Sequence, residues 1–237
     1  MNIAGKRILI TGSAVRLGSE LVRRFADLNA NIIIHCNNSY ESGLKLLNEI
    51  GGMQRGHALI KCDLSKFDQL DNLAKILNSV DILINNASVF DTRSITEDTL
   101  NNGQTQFNIN FWAPVMLMQK FYASKLNSDG IIINMLDSRV NKNALKCGFY
   151  TLSKMSLSNA TLMAAVQMAP NIRVNGIALG VVMPPVWLPE SKMKKSIDTV
   201  PLRHSVSLDE LFNTCRFIVE NESITGEILN LSGGLHL

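Results

Sequence analysis

The sequence predicts an α/β protein whose single domain, residues 1–237, holds a doubly wound parallel seven-stranded sheet flanked by helices. Short runs rich in Ile, Leu and Val alternate with amphipathic stretches along the whole chain, which is the pattern of repeated strand–helix units. These apolar runs lack strict alternation, as is typical of strands covered on both faces. The 237 residues contain no repeat, low-complexity segment or linker, so one domain accounts for the length.

The elements follow one another in regular order. Strands are predicted at 7–11, 31–35, 57–63, 81–87, 131–135, 173–179 and 227–232. Helices are predicted, from apolar residues at helical spacing, at 17–28, 41–50, 98–126, 147–168 and 207–220, with another helical stretch between the third and fourth strands. Right-handed crossovers between such strands place a ligand site beyond their carboxyl ends.

The bulk composition excludes several classes of function. A net charge of +3, from 23 basic and 20 acidic residues, gives no case for nucleic acid or a membrane surface as partner. No apolar run reaches the roughly 18 residues of a membrane span, and the N-terminus is interpreted as the first strand. The four cysteines lack CxxC spacing and the four histidines lack metal-ligand spacing. We therefore expect buried reduced thiols, no metal site and, by default, a cytoplasmic location.

A glycine turn follows the first strand and leads directly into a helix. It reads Thr11-Gly12-Ser13-Ala14-Val15-Arg16-Leu17-Gly18. Glycines allow a tight turn and a close approach to a diphosphate, and the helix N-terminus offers N–H groups to the anion. Glycines alone also serve ordinary turns, but the position between strand and helix favours the dinucleotide site of a Rossmann fold, with Gly12, Arg16, Leu17 and Gly18 as contacts.

The loop after the second strand favours NADPH over NADH. It contains no carboxylate until Glu41, whereas NAD-binding proteins usually place an acidic residue there for the ribose 2′-hydroxyl. Asn38 and Ser39, with Arg16 nearby, suit a 2′-phosphate, although a plain polar loop is the alternative. The residues after the third and fourth strands, which also commonly form turns and caps, are placed to touch the adenine and ribose halves: Asp63, Leu64, Asn86, Ala87 and Ser88.

Tyr150 and Lys154 lie four residues apart on a predicted helix and therefore share one face. A nearby ammonium favours the phenolate, so we expect Lys154 to lower the pKa of Tyr150. Together with TG(x)5G at 11–18, NNA at 85–87, Asn110 and ITGEILNLSGG at 224–234, this pair resembles the short-chain dehydrogenase/reductase family over essentially the whole chain.

The resemblance implies hydride transfer from a nicotinamide. It gives Tyr150 the role of acid and has Lys154 hold the ribose and tune the phenol. Asn110 would support a proton-relay water. The backbone at Gly180 and Val182 would meet the nicotinamide amide, although the usual Pro-Gly is Leu179-Gly180 here.

Asp137 is the most informative departure from the family pattern. It lies 13 residues before Tyr150, where the family usually has a serine that binds the substrate carbonyl. A carboxylate there repels a developing alkoxide but can relay a proton to a ring nitrogen, as C=N reduction requires. A weakened serine site or a protonated aspartate are the alternatives.

A branch of the family, the pteridine and dihydromonapterin reductases, shares this departure. Asp137, Arg16, Ser88 of NNAS and Phe90 resemble that branch. The resemblance implies a substrate site of Arg16, Ser88, Phe90, Asp137 and Tyr150, with Phe90 stacked on the pterin, whereas without its context Phe90 would be taken as a core aromatic. Val15 and Asn38 replace a lysine and an arginine of that branch.

The segment 181–200 is predicted to form a lid over the substrate. Its prolines and Trp187 suggest a shaped cover. Lys192, Lys194 and Lys195 would attract an anionic tail or, alternatively, form a solvated basic loop.

The sequence thus predicts an NADPH-dependent reductase of a dihydropterin or dihydrofolate-type substrate. One alternative is a carbonyl reductase, such as a 3-oxoacyl-thioester reductase. Another is a non-catalytic NADP(H) sensor, a class that typically loses the tyrosine or the lysine. The resemblance also implies a homotetramer or homodimer that pairs the fourth and fifth helices. Apolar residues on the fourth helix either form that interface or face the core: Phe111, Trp112, Val115 and Met118.

Overall fold

Seven strands, all paired in parallel, form one sheet in the order β3-β2-β1-β4-β5-β6-β7 in the computed structural model. The structure describes residues 1–125, 128–142, 145–183 and 190–237. The strands are β1 (Arg7–Ile10), β2 (Asn31–Cys36), β3 (Ala58–Lys61), β4 (Ile82–Asn85), β5 (Gly130–Asp137), β6 (Ile172–Leu179) and β7 (Ile228–Leu231). The predicted fold class is confirmed.

Helices connect consecutive strands and cover both faces of the sheet. They are α1 (Arg16–Asp27), α2 (Tyr40–Glu49), α3 (Phe67–Ala74), α4 (Leu100–Phe107), α5 (Ala113–Ser124), α6 (Gly148–Gln167), α7 (Glu190–Asp198) and α8 (Leu208–Glu220). Within the described ranges, no helix is both long and apolar enough to cross a membrane.

Two apolar layers, one on each face, explain the uninterrupted Ile, Leu and Val runs. Ile8 and Ile10 of β1 pack with α1, α2 and α8, while Leu9 between them packs with α3, α5 and α6. All three side chains are completely buried. Because successive residues of a strand point to opposite faces, a sheet buried on both sides requires apolar residues at every position.

Most predicted elements differ from the observed ones by one or two residues at their ends, and three differences affect the site. The helix predicted at 98–126 is interrupted by a π-helical turn, Asn108–Trp112, which ends two residues before Pro114, a residue with no N–H for the regular helical bond. Strand β5 continues two residues beyond its predicted end, because its pairing with β6 runs as far as Asp137 and Leu179. In the predicted lid, 190–198 form helix α7 rather than loop.

His35 ties the glycine turn to the sheet. It lies in β2 with 2% of its surface exposed. Its Nδ1 accepts a hydrogen bond from the Gly12 amide at 2.9 Å, and its Nε2 lies 3.0 Å from the Cys62 carbonyl. Since a carbonyl only accepts, Nε2 carries the proton and the ring is neutral. Burial lowers the pKa of His35 to about 4.

We expect His35 to make the protein less stable in mild acid. Unfolded His35 takes up a proton near its ordinary pKa of 6.5, whereas the folded residue does so only near about 4. The free energy of unfolding should therefore fall by up to about 3 kcal/mol across that window as the pH is lowered. Urea denaturation at a series of pH values measures it.

The variant His35→Gln, which keeps one donor and one acceptor, isolates this contribution. Its stability should depend less on pH than that of the wild type between those two values. His204→Gln, at an exposed position, is the matched control and should behave as the wild type. Parallel pH curves for wild type and His35→Gln would contradict the assignment.

Candidate active site

A cleft of about 1280 Å³ opens along the carboxyl ends of the strands. Its walls come from the glycine turn, the loops after β2, β3 and β4, the end of β5, helix α6 and the segment after β6. It is lined by every predicted cofactor-binding and substrate-binding residue: Gly12, Arg16, Leu17, Gly18, Asn38, Ser39, Asp63, Leu64, Asn86, Ala87, Ser88, Phe90, Asp137, Tyr150, Lys154, Gly180 and Val182.

The glycine turn is held so closely that side chains would not fit. A Cβ on Gly12, whose φ is +61°, would lie 2.8 Å from Cα of Ala87. A Cβ on Gly18 would lie 2.6 Å from Cα of Ser13. The first turn of α1 has no acidic residue, and its N-cap residue Val15 makes no side-chain capping bond. The turn and the start of α1 therefore fit a diphosphate.

Asn86 positions this turn with its side chain. Its Nδ2 donates to the carbonyl oxygens of Thr11 at 2.8 Å and Gly12 at 3.1 Å. The Thr11 hydroxyl accepts from the amides of Asn86 and Ala87, each at 3.0 Å. The NNA motif thus holds the end of β4 against the turn. The sequence analysis did not predict this structural role.

Asp63 also organises its own loop. Its Oδ1 accepts from the Ser65 hydroxyl at 2.7 Å and the Ser65 amide at 3.0 Å. The Ser65 hydroxyl bond is the main reason that the pKa of Asp63 is lowered. The carboxylate is therefore ionised at neutral pH at the edge of the cleft.

Tyr150, Asp137 and Lys154 come together at the base of the cleft. The Tyr150 hydroxyl donates to Asp137 Oδ2 at 3.0 Å. Lys154 Nζ donates to the Met135 carbonyl at 2.8 Å, and its burial lowers the pKa of Lys154 to about 8. Helix α6 supplies the tyrosine and lysine and β5 supplies the aspartate, which gives the arrangement of a proton donor beside an acceptor.

The expectation that Lys154 lowers the pKa of Tyr150 is wrong for this structure. Burial, followed by the charge of Asp137 and the hydrogen bond to it, raises that pKa well above 10. Removing a phenolate from water and placing it beside a carboxylate are both unfavourable. Tyr150 is thus a protonated hydrogen-bond donor at neutral pH.

Arg139, which was not predicted from the sequence, forms a salt bridge with Asp137. Its Nη1 lies 2.9 Å from Oδ2 and 3.1 Å from Oδ1, and its backbone N–H donates to Oδ1 at 2.9 Å. The only sequence signal is the spacing Asp-x-Arg. This signal is weak, since Asp91 and Arg93 form the same local pair with an arginine that does not line the cleft.

Phe90 faces the cleft instead of the core. The residue is 39% exposed. Its ring lies edge-to-face with that of Tyr150, with centroids 4.8 Å apart, and the Arg139 guanidinium carbon lies 5.9 Å from its centroid. The alternative interpretation as a core aromatic is therefore wrong.

Asn110 lies behind the cleft wall on the π-helical turn. Its Oδ1 accepts from the Ser88 hydroxyl at 3.0 Å and the Val89 amide at 2.9 Å. Its Nδ2 donates to the Val89 carbonyl at 2.9 Å, with Gln106 and Ser153 also in range. The side chain therefore fixes the segment that carries Ser88.

The segment after β6 borders the cleft through Val181, Val182, Met183 and Ser196. Gly180 approaches the last strand so closely that a Cβ would lie 2.7 Å from Cα of Ser232. Lys194 and Lys195 are exposed. Trp187 and the side chain of Lys192 lie outside the described residues. The described residues contain no group of three or more His, Cys, Asp or Glu that could hold a metal, and all four cysteines are buried with free thiols.

Comparisons with known proteins place the chain among reductases. A family model described as enoyl-(acyl carrier protein) reductase matches residues 12–236. The crystal structure of FolM alternative dihydrofolate reductase 1 from Brucella canis, complexed with NADP, is 32% identical with a TM-score of 0.92, over 99% of this chain and 95% of that one.

Curated relatives of this chain include two reductases described by other substrates. The L-xylulose reductase of Mus musculus is 26% identical over 99% of this chain and 98% of its own. The 3-oxoacyl-[acyl-carrier-protein] reductase FabG of Buchnera aphidicola is 24% identical over the full length of both chains.

We expect Asp137→Asn to lower the pKa of Tyr150, because it removes the negative charge beside the phenol. The chain has three tyrosines, so in a variant that combines Tyr40→Phe and Tyr122→Phe only Tyr150 can contribute a phenolate signal. Its ultraviolet phenolate absorbance, followed with rising pH beside circular dichroism, gives the midpoint. Asp91→Asn, in the equivalent Asp-x-Arg pair, should leave it unchanged. An equal or higher midpoint in Asp137→Asn would refute this electrostatic account.

Proposed function

Because the chain belongs to the short-chain dehydrogenase/reductase family, we propose that it is an NADPH-dependent reductase of a dihydropterin or dihydrofolate-type substrate, acting on a C=N bond. The observation that carries the proposal is the hydrogen bond from Tyr150 to Asp137. The carboxylate holds the position from which a serine usually binds a carbonyl in this family.

Electrostatics favour a C=N bond over a carbonyl. Reduction of a carbonyl builds negative charge on oxygen, which an ionised Asp137 at the same place destabilises. Reduction of a C=N bond instead requires a proton on nitrogen, and the Tyr150–Asp137 pair has one to donate. Lys154 and Arg139, both beside this pair, reduce the cost of the negative charge left behind.

The cleft residues fit NADPH, which supplies a hydride when bound. Gly12, Gly18 and the start of α1 would hold the diphosphate, at the place where a Cβ has no room. The loop after β2 carries Asn37, Asn38 and Ser39 into the cleft and no carboxylate among them, which suits a 2′-phosphate.

The remaining contacts concern the reacting end of the cofactor. Lys154 would hold the ribose, and the backbone at Gly180 and Val182 would meet the nicotinamide amide. Phe90, which is partly exposed and lines the same cleft, would stack on the substrate ring.

Two FolM structures, both described as alternative dihydrofolate reductase 1 with NADP and 31–32% identical to this chain, support the pterin class. The L-xylulose and 3-oxoacyl reductases among the relatives favour a carbonyl reductase as the second candidate. The sensor alternative finds no support, since Tyr150 and Lys154 are both retained and hydrogen-bonded in the cleft.

We expect NADPH oxidation, followed by its absorbance, with at least one of dihydrobiopterin, dihydromonapterin and dihydrofolate. Asp137→Ser should reduce this turnover about 100-fold or more, because the proton relay is lost. Asp91→Ser is the matched control and should retain it. Turnover of acetoacetyl thioesters alone, or activity gained in Asp137→Ser, would replace the pterin proposal by the carbonyl reductase.

The proposed assembly is a homodimer or homotetramer formed through α5 and α6. Among the residues predicted for the interface, Trp112 is 48% exposed, but Met118 is buried in the protomer's own core. The outer side of α6 instead contributes Met163, 61% exposed, and Val166, 81% exposed. An apolar surface of this kind is typical of a subunit interface.

We expect light scattering at micromolar concentration to give a dimer or tetramer, and Met163→Glu combined with Val166→Glu to shift it toward the monomer, because charges would be buried in the interface. Met53→Glu, at a site 73% exposed in the short turn between α2 and β3, is the control. A monomeric wild type would rule out the assembly.

A further inference from the structure

Arg139 contacts Asp137 through both its side chain and its backbone, so its part in the cleft extends beyond lowering the cost of a negative charge. It lies in the short turn Ser138–Asn141 that follows β5. The Asp137 carboxylate accepts four hydrogen bonds, three from Arg139 and one from Tyr150. Most of the contacts that orient this carboxylate therefore come from one side chain and its backbone.

We propose that Arg139 is a positioning residue, which holds the Asp137 carboxylate against the Tyr150 hydroxyl and offsets its negative charge at the phenol. The consequence for turnover rests on the proposed function. The effect on Tyr150 itself does not, because it follows from the contacts of the three residues.

The orientation argument follows from the geometry of the pair. Asp137 has only 13% of its side chain exposed, so the carboxylate has little water to solvate it. Nη1 contacts both oxygens while the backbone N–H holds Oδ1 from the other end. These charge-assisted hydrogen bonds restrain the carboxylate in an orientation in which Oδ2 accepts from the Tyr150 hydroxyl.

The charge argument concerns all ionisable groups that face the pair. These are Arg139, Lys154 and Cys147. Burial and Asp137 raise the pKa of Tyr150, and the positive charge of Arg139 acts in the opposite direction. Although burial alone would lower the pKa of Arg139, the charge of Asp137 raises it, so the guanidinium stays charged at every accessible pH.

Arg139 also connects Asp137 to Phe90. Its guanidinium lies over the Phe90 ring at 5.9 Å, which is a cation–π distance. Phe90 in turn contacts the ring of Tyr150. The contacts form a closed cycle of four side chains, so Arg139 orients the proton-transfer pair and the proposed stacking residue together.

The test uses the Tyr40→Phe, Tyr122→Phe background, in which only Tyr150 titrates, without cofactor or substrate. Arg139→Gln should raise the midpoint of the Tyr150 phenolate titration. The same substitution is also made in Asp137→Asn, where we expect a lower midpoint, so that the shift can be measured before alkaline pH unfolds the protein. Arg93→Gln is the matched control and should leave the midpoint unchanged. No shift from Arg139→Gln in either background would overturn the proposal.

Kinetics test the positioning part. Arg139→Lys keeps the positive charge but removes the guanidinium group, whose Nη1 contacts both carboxylate oxygens of Asp137. It should leave the Tyr150 midpoint near that of the wild type, lower kcat for the dihydropterin about tenfold and leave KM for NADPH unchanged. If Arg139→Gln does not fold, Arg139→Lys still tests the positioning role. Full kcat in Arg139→Lys would overturn the positioning role.

The failure of the proposed function would be distinguishable from the failure of this inference. If the wild type turns over no dihydropterin but Arg139→Gln still raises the Tyr150 midpoint, the substrate class is wrong and the role of Arg139 stands. Added guanidinium ion should partly restore turnover to Arg139→Ala, whereas sodium chloride at equal ionic strength should not. Equal effects of both salts would mean that Arg139 supports the fold alone.

Discussion

The hydrogen bond between Tyr150 and Asp137 is the interaction on which the chemistry of the cleft depends. It joins helix α6 to the end of β5 at 3.0 Å and brings together two groups that both carry negative charge when deprotonated. That combination is unfavourable in a buried site unless cations lie close by. The structure supplies them as Lys154, anchored on the Met135 carbonyl, and Arg139, paired with the carboxylate. The three charged side chains and the phenol therefore influence one another and form one connected group.

The sheet determines where this group can form. Strands β5 and β6 pair over eight positions, from Gly130 with Ile172 to Asp137 with Leu179. Asp137 consequently lies at the same edge as Gly180 and the glycine turn. On the other side, His35 and Asn86 bind the backbone of that turn. The proposed proton-transfer group and the proposed diphosphate site are thus held by separate hydrogen bonds to one parallel sheet, which is the common way in which such folds build a site at the strand ends.

Sequence patterns predicted the elements whose signals are local and repeated. Apolar runs defined all seven strands, and the spacing of Tyr150, Lys154 and Asp137 placed them in one cleft. The predicted direction of the pKa shift of Tyr150 was wrong, because burial and the orientation of Asp137 are properties of the folded state that the sequence does not give. Arg139 was missed because its spacing from Asp137 also occurs at Asp91 and Arg93, and only the position relative to the cleft separates the two pairs. The π-helical turn at Asn108–Trp112 was not predicted, because the spacing of apolar residues takes no account of Pro114.

Under the proposed function, residue 137 separates substrate classes that overall similarity does not. Relatives described as L-xylulose and 3-oxoacyl reductases and those described as alternative dihydrofolate reductases all match nearly the whole chain, so overall similarity does not separate these groups. A hydroxyl at the end of β5 stabilises an oxyanion, and a carboxylate destabilises it, so one side chain changes the sign of the electrostatic term at the reacting atom. The pairing of Asp137 with Arg139 moderates this effect without reversing it, because the carboxylate accepts three hydrogen bonds from Arg139 and still accepts the Tyr150 hydroxyl at Oδ2. An acceptor held there suits a reaction that ends with a proton on nitrogen.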